Sequence, residues 1–169
     1  TLGVEMASTG EVGCIGDDFN EALIKAMMSV GFRFPLKTIL ISTGAIEQKA
    51  SFLEASRQLQ KMGVKTYATT GTSEFLNENN LEAELVQWPS ETGGPEVLKL
   101  LEETPLDLVI NIPKSFEETE KSNGYKVRRK SVDLGIPLIT NIQLAKRLIE
   151  SLYHKPLDEL AIKAWNEYS

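Results

Sequence analysis

The 169-residue chain carries 41% hydrophobic and 25% charged residues, the balance of an ordinary globular protein long enough for one domain with its own core. A net charge of −6 argues against a general nucleic-acid or anionic-membrane surface, and the apolar runs are far too short to span a bilayer. One cysteine rules out an intrachain disulfide, and one histidine beside it gives a zinc site too few ligands.

The chain starts at Thr1 without a signal-like or arginine-rich leader, so it reads as a piece of something longer. Cys14, in the small-residue stretch Gly13 to Gly16, reads as a packed, inert thiol. The first helix is expected after Asp17 and Asp18, with Phe19, Ala22, Leu23, Ala26, Met27 and Val30 as one apolar stripe; Gly31 and Pro35 end it. Lys37 to Ser42 reads as a buried strand, with a turn at Thr43 and Gly44. Ser51 to Glu54 has capping-box spacing, although the helix can start near Glu47. Phe52, Ala55, Leu59 and Met62 form its stripe, and Gly63 stops it.

A second strand runs to Thr69, followed by a short helix from Ser73 to Asn79. Leu85 to Trp88 is a third strand, and Gly93-Gly94-Pro95 opens a helix through Leu101. Leu106 to Asn111 gives a strong strand signal, and Lys114 to Gly124 reads as a charged loop. A helix from Lys126 to Leu134 leads into a strand from Pro137 to Thr140. Asn141 then caps a helix carrying Leu144, Ala145, Leu148, Ile149 and Leu152, and Pro156 starts a last amphipathic helix reaching Trp165. The alternation predicts an α/β three-layer sandwich: about five parallel strands with helices on both faces.

Ligands in such sheets bind at the carboxyl ends of the strands, where strand order switches. Thr43, Thr69, Trp88, Asn111 and Asn141 fall at those ends. The segment Tyr67 to Ser73 is a strand, a turn with glycine and hydroxyls, then a helix N-terminus, which is an anion pocket in outline. An alternative is that Thr72 only caps the helix and Gly71 only makes the turn. Lys49 offers a point charge, with a solvated helix lysine as the plainer reading. Trp88 offers a face to a ligand or packs core, and Asn111 ends a buried strand with an amide that needs partners. Lys126, Arg128, Arg129 and Lys130 form a basic spot suited to one small anion, although Arg129 also has Asp133 at i+4. Asp107 lies at the other end of its strand. The result is a pocket of hydroxyls, amides and cations without a general base, a site for binding rather than acid–base chemistry.

The opening motif Gly3-Val4-Glu5-Met6-Ala7-Ser8-Thr9-Gly10-Glu11-Val12 resembles the end of the second synthetic half of the carbamoyl-phosphate synthetase large subunit. From Lys37 onward the chain is similar to that enzyme's allosteric domain of methylglyoxal synthase-like fold, through Tyr67 to Asn80, Val86 to Ser90, Leu108 to Pro113 and Val127 to Asn141. The resemblance implies two parts, a segment over 1–36 continuing from the synthetic half and an allosteric domain over 37–169. It implies no catalytic residue and no cofactor in this chain, whereas the parent uses ATP, Mg or Mn, and K. The implied partners are a small anionic effector, the remainder of the large subunit and a glutaminase small subunit, with no nucleic acid or membrane. The expected compartment is the cytoplasm, with the mitochondrial matrix as the alternative.

The resemblance assigns effector contacts to Thr69, Thr72, Trp88 and Asn111, beside Thr43 and Lys49. A tryptophan at the position of Trp88 marks the N-acetylglutamate-activated, ammonia-dependent type, to which the likeness is nearest. Lys49 matches a phosphate-contacting lysine of the UMP- and IMP-regulated type. Two asparagines of the acetylglutamate site fall at Lys114, a departure, and at Asn123 or Gly124. Methylglyoxal synthase acting on dihydroxyacetone phosphate is the enzyme alternative. Here Pro95 stands where that enzyme has its catalytic aspartate after Gly-Gly, and Ser42-Thr43-Gly44 stand in place of its histidine-aspartate pair.

Overall fold

The computed structural model describes residues 12–89, 91, 95–113 and 122–168. Among these, seven α-helices and five strands follow one another as α1 (Phe19–Ser29), β1 (Thr38–Thr43), α2 (Ile46–Ser51), α3 (Leu53–Lys61), β2 (Lys65–Thr69), α4 (Thr70–Glu78), β3 (Glu84–Val86), α5 (Val97–Glu103), β4 (Leu108–Ile112), α6 (Asn123–Asp133), β5 (Leu138–Ile139) and α7 (Ile142–His154). The five strands form one parallel sheet in the order β3-β2-β1-β4-β5. The expected α/β sandwich is present.

The continuous apolar runs of β1 and β4 are dictated by burial on both faces. Ile39 and Ile41 pack with Leu108 and Ile110 against Met27 of α1, Ala55 and Leu59 of α3, and Leu148 and Ile149 of α7. Leu40 and Val109 face the other way, onto Leu100 and Leu101 of α5 and Val127 of α6. Each such side chain contributes about 1.5–3 kcal/mol relative to exposure. Ala68 of β2 meets Leu76 of α4 and Leu81 in a third, small cluster. Met27 and Leu36, from the segment before β1, belong to the first cluster, so that segment shares the sheet's core.

Most local signals hold. Asp18 caps α1 by accepting from the Glu21 N–H at 2.9 Å, and Asn141 caps α7 by accepting from the Leu144 N–H at 2.9 Å. Gly63 takes φ +73 beyond α3, the left-handed stop expected there. Asp107 accepts from the Lys37 and Thr38 N–H groups at the amino end of the sheet, away from any site at the carboxyl end. Arg129 pairs with Asp133 at 3.0 Å.

Five expectations need correction. The stripe on α1 is rotated: Ile24 and Glu21 are fully buried, whereas Phe19 and Val30 are more than half exposed. The Ser51–Glu54 capping box does not form, because the chain is already helical through α2 and the Ser51 hydroxyl donates to the Gln48 carbonyl. Cys14 is half-buried rather than packed, with Sγ 3.9 Å from the Ser29 hydroxyl. Helix α6 begins at Asn123, so Asn123 and Gly124 are helical rather than looped. The segment after Pro156 forms no amphipathic helix but two 3₁₀ turns, Leu157–Glu159 and Trp165–Glu167. Polar anchors hold it there: Ala161 N–H and Lys155 both reach Glu21, and Lys163 reaches Asp17. Most of the opening motif (residues 3–11), the Gly93-Gly94 pair and Lys114 lie outside the described residues.

Candidate functional site

Strand order switches beside β1, because β2 and β3 lie to one side of it and β4 and β5 to the other. Register places Ser42 beside Asn111 and Thr43 beside Ile112, so the carboxyl ends of β1 and β4 open together. A cavity of about 310 Å³ lies at this point, lined by Ser42, Thr43, Gly44, Lys49, Thr69, Gly71, Thr72, Trp88, Asn111, Ile112, Ser122, Asn123 and Gly124. Larger hollows, of about 440 and 500 Å³, lie at the amino ends of β2–β3 and β4–β5. The carboxyl end is where a parallel sheet presents loops and helix N-termini, which makes the smaller cavity the candidate site.

Thr43, Lys49, Thr69, Thr72, Trp88, Asn111 and Asn123, all expected from sequence, meet in this one cavity, whereas Asn141 does not line it. The first turns of α4 and α6 both open onto it. Helix α4 starts without a break from β2, and its N-cap is Thr69, whose side chain makes no cap bond. Thr69 Oγ1 donates instead to Ser42 Oγ at 3.1 Å. Thr72 is therefore not the cap; it lies inside the first turn and is buried. Its Oγ1 accepts from the Thr43 N–H at 3.1 Å and donates to the Thr43 carbonyl at 3.3 Å. Gly71 is not a turn residue either: it is the second residue of α4 and has no positive φ. A Cβ there would come 3.2 Å from Lys49 Nζ, so its bareness admits the lysine.

Lys49 Nζ donates to the Gly71 carbonyl at 2.6 Å, which brings its charge to the first turn of α4. Trp88 both packs against the Leu40–Val86–Val97 cluster and lines the cavity, so its two readings hold together. The Glu91 carboxylate accepts from the Thr70 hydroxyl at 2.6 Å and the Trp88 N–H at 3.0 Å, tying the segment after β3 to α4. Ser122 caps α6 by accepting from the Tyr125 N–H at 3.1 Å. Asn111, almost fully buried, accepts from Arg128 Nη1 at 2.8 Å through Oδ1.

Arg128 was visible in the sequence only as part of a basic run. Its position four residues after Gly124 puts both on one face of α6, and that spacing was the available signal. No carboxylate and no histidine is among the described residues lining the cavity. Such an arrangement can hold an anion against one lysine, hydroxyls and backbone N–H groups. Among the described residues, no group of three or more His, Cys, Asp or Glu could hold a metal ion, and no helix is long and apolar enough to cross a membrane.

The MGS-like domain family matches residues 51–140, which hold β2 to β5 and most of the cavity lining. Carbamoyl-phosphate synthase (ammonia), mitochondrial, of Homo sapiens is 41% identical over 99% of this chain. Multifunctional protein pyr1-3 of Dictyostelium discoideum is 40% identical over 89% of it, and Multifunctional protein CAD of Squalus acanthias 38% identical over 89%. The chain spans 11% of the first of these relatives and 7% of each of the other two. With its parallel five-stranded sheet and a family match over more than half its length, the chain belongs to the MGS-like domain family.

Proposed function

We propose that this chain is the effector-binding regulatory part of a carbamoyl-phosphate synthetase, with residues 37–169 as the regulatory domain and 1–36 leading into it from the synthetic part. The observation that carries this reading is the cavity at the switch point, where Lys49 meets the uncapped first turn of α4 and the described lining holds neither carboxylate nor histidine. The parent would make carbamoyl phosphate from bicarbonate and ATP, with ammonia or glutamine as nitrogen source; ATP and its metal ions would be handled outside this chain. The names of the relatives support a place in such a parent, in either a mitochondrial or a multifunctional form.

The effector in this reading is a small acidic metabolite, with N-acetylglutamate placed ahead of UMP or IMP. Trp88 supplies a broad apolar wall that suits an acyl group. Lys49 favours the nucleotide alternative, since a lysine is an effective phosphate partner as a point charge. Thr43, Thr69, Thr72, Asn111 and Asn123 complete the effector contacts, and Lys114 and either Asn123 or Gly124 take the positions that the resemblance assigns to asparagines. Calorimetric titration with N-acetylglutamate, UMP and IMP side by side tests the reading. Saturable binding of one of them, lost when a lining residue is changed, is the expected result. Formation of methylglyoxal from dihydroxyacetone phosphate, lost on the same change, would replace it with the lyase reading.

A further inference from the structure

We propose that Arg128 is a positioning residue that sets the chemical polarity of the Asn111 amide and so makes the site select acceptor groups; this rests on the effector-binding reading above. An asparagine amide can present either a donor or an acceptor to a ligand. Arg128 removes that choice. A guanidinium has donors only, so the atom of Asn111 facing Nη1 at 2.8 Å must be the oxygen. The assignment follows from chemistry and does not depend on telling nitrogen from oxygen by shape. With Oδ1 held by Arg128, Nδ2 is the end of the amide left to the ligand, and Nδ2 can only donate.

The holder is itself fixed. Arg128 lies between Val127 and Arg129 on α6, and Val127 is fully buried in the core cluster under β4. Ser131, also fully buried, donates to the Val127 carbonyl at 2.8 Å. The neighbouring cations point elsewhere, since Arg129 pairs with Asp133 and Lys130 with Glu102. Asn111 is held on the other side by its strand, beside Ser42 of β1. A rigid helix and a rigid strand thus meet through one charge-assisted bond next to the cavity. The ligand group accepted at Nδ2 is a carboxylate, phosphate or carbonyl oxygen, and a ligand offering an amide NH₂ or ammonium there meets a donor facing a donor.

The test uses side-chain amide NMR of the 15N-labelled chain with Arg128→Met and Arg128→Lys, titrating N-acetylglutamate and UMP. The Asn111 Nδ2 resonances are identified by their loss in Asn111→Asp. In the unaltered chain they are dispersed and move on titration. In Arg128→Met they collapse toward solvent-amide positions, and affinity for the bound probe falls at least tenfold while the melting temperature stays within a few degrees. Arg128→Lys, which keeps a charged donor, restores part of the dispersion and part of the affinity. Dispersed resonances and unchanged affinity in Arg128→Met would overturn the positioning role and leave the effector site standing. Failure of both probes to move any resonance of the unaltered chain would overturn the effector-binding reading, and this inference with it.

Discussion

The hydroxyl of Thr72 bridges the backbone of Thr43, accepting its N–H at 3.1 Å and donating to its carbonyl at 3.3 Å. The first turn of α4 is thereby pinned to the end of β1, and the pin is buried. Thr72→Ala leaves the Thr43 N–H without that partner, a loss of about 1–3 kcal/mol. We expect a lower denaturation midpoint for Thr72→Ala and a near-normal one for Thr72→Ser. Because the hydroxyl proton is already engaged with Thr43, the effector would gain more from the α4 backbone N–H groups than from this side chain. Equal midpoints for Thr72→Ala and the unaltered chain would show that the bridge carries no stability.

Lys49 is the reverse case, half-exposed and bonded to a carbonyl at the helix end that favours anions. Lys49→Met should change stability by no more than about 0.5 kcal/mol. If UMP or IMP binds, the variant should lose about 1–2 kcal/mol of affinity, roughly five- to thirtyfold. Gly71→Ala complements it: the helical φ tolerates a Cβ, but Lys49 Nζ must move away from 3.2 Å. That variant should keep its melting temperature and weaken a phosphate ligand. Titration calorimetry beside thermal denaturation reads both effects.

Why the strand ends were legible and the helix starts were not follows from period. Ile39 to Ile41 and Leu108 to Ile110 are buried on both faces, so an unbroken apolar run marks them whatever their neighbours do. Their carboxyl ends then named Thr43 and Asn111 directly, and the ends of the neighbouring strands named Thr69 and Trp88. The cap alternative for Thr72 fails because the chain enters α4 straight from β2 at Thr69. The segment after Pro156 has helical spacing but is held by the Lys163–Asp17 ion pair and the Ala161 N–H bond to Glu21, more than 130 residues away in sequence. Arg128 stood out only as part of a basic run for the same reason, since its partner Asn111 lies on another element, 17 residues away.

In the proposed effector site, Trp88 is the residue expected to decide between acyl and phosphate ligands. Trp88→Lys adds a cation and removes an apolar wall. It should raise affinity for UMP or IMP and lower it for N-acetylglutamate. Trp88 also packs against the Val86–Val97 cluster, so the comparison belongs well below both melting temperatures. The chain has a second tryptophan, Trp165, and Trp165→Phe isolates the Trp88 fluorescence. That emission should change on binding of the matching ligand. UMP binding by the unaltered chain, with no fluorescence response to N-acetylglutamate, would reverse the order of effectors.

Glu21 gives the fold its clearest pH dependence. Its carboxylate is fully buried yet charged, 2.5 Å from Lys25 Nζ and 3.5 Å from Lys155 Nζ, and it accepts from the Asp17 and Ala161 N–H groups. The Lys25 ammonium holds the Glu21 carboxyl below its ordinary 4.5, against the opposing effect of burial. Glu21 in turn raises Lys25 above its ordinary 10.5, with the Tyr168 hydroxyl assisting. A lowered carboxyl favours the folded state above its unfolded value, and that contribution is lost as pH falls through the folded value. A raised lysine contributes below 10.5, and its share is lost as pH rises through the folded value. The pair therefore stabilises the fold across the neutral range and fails at both ends, first for practical purposes below about pH 4.5. Asp18, lowered chiefly by the Glu21 backbone N–H, adds to the acid limb. Glu21→Gln keeps an acceptor but removes the charge, and should cost about 2 kcal/mol, lowering Tm by about 4–8 °C at pH 7. Its stability should fall less steeply than that of the unaltered chain between pH 5 and 3. Protease should also cut the 155–168 segment sooner, because Lys155 and Ala161 lose their charged anchor. Parallel acid limbs for the two proteins would show that other carboxylates set the acid transition.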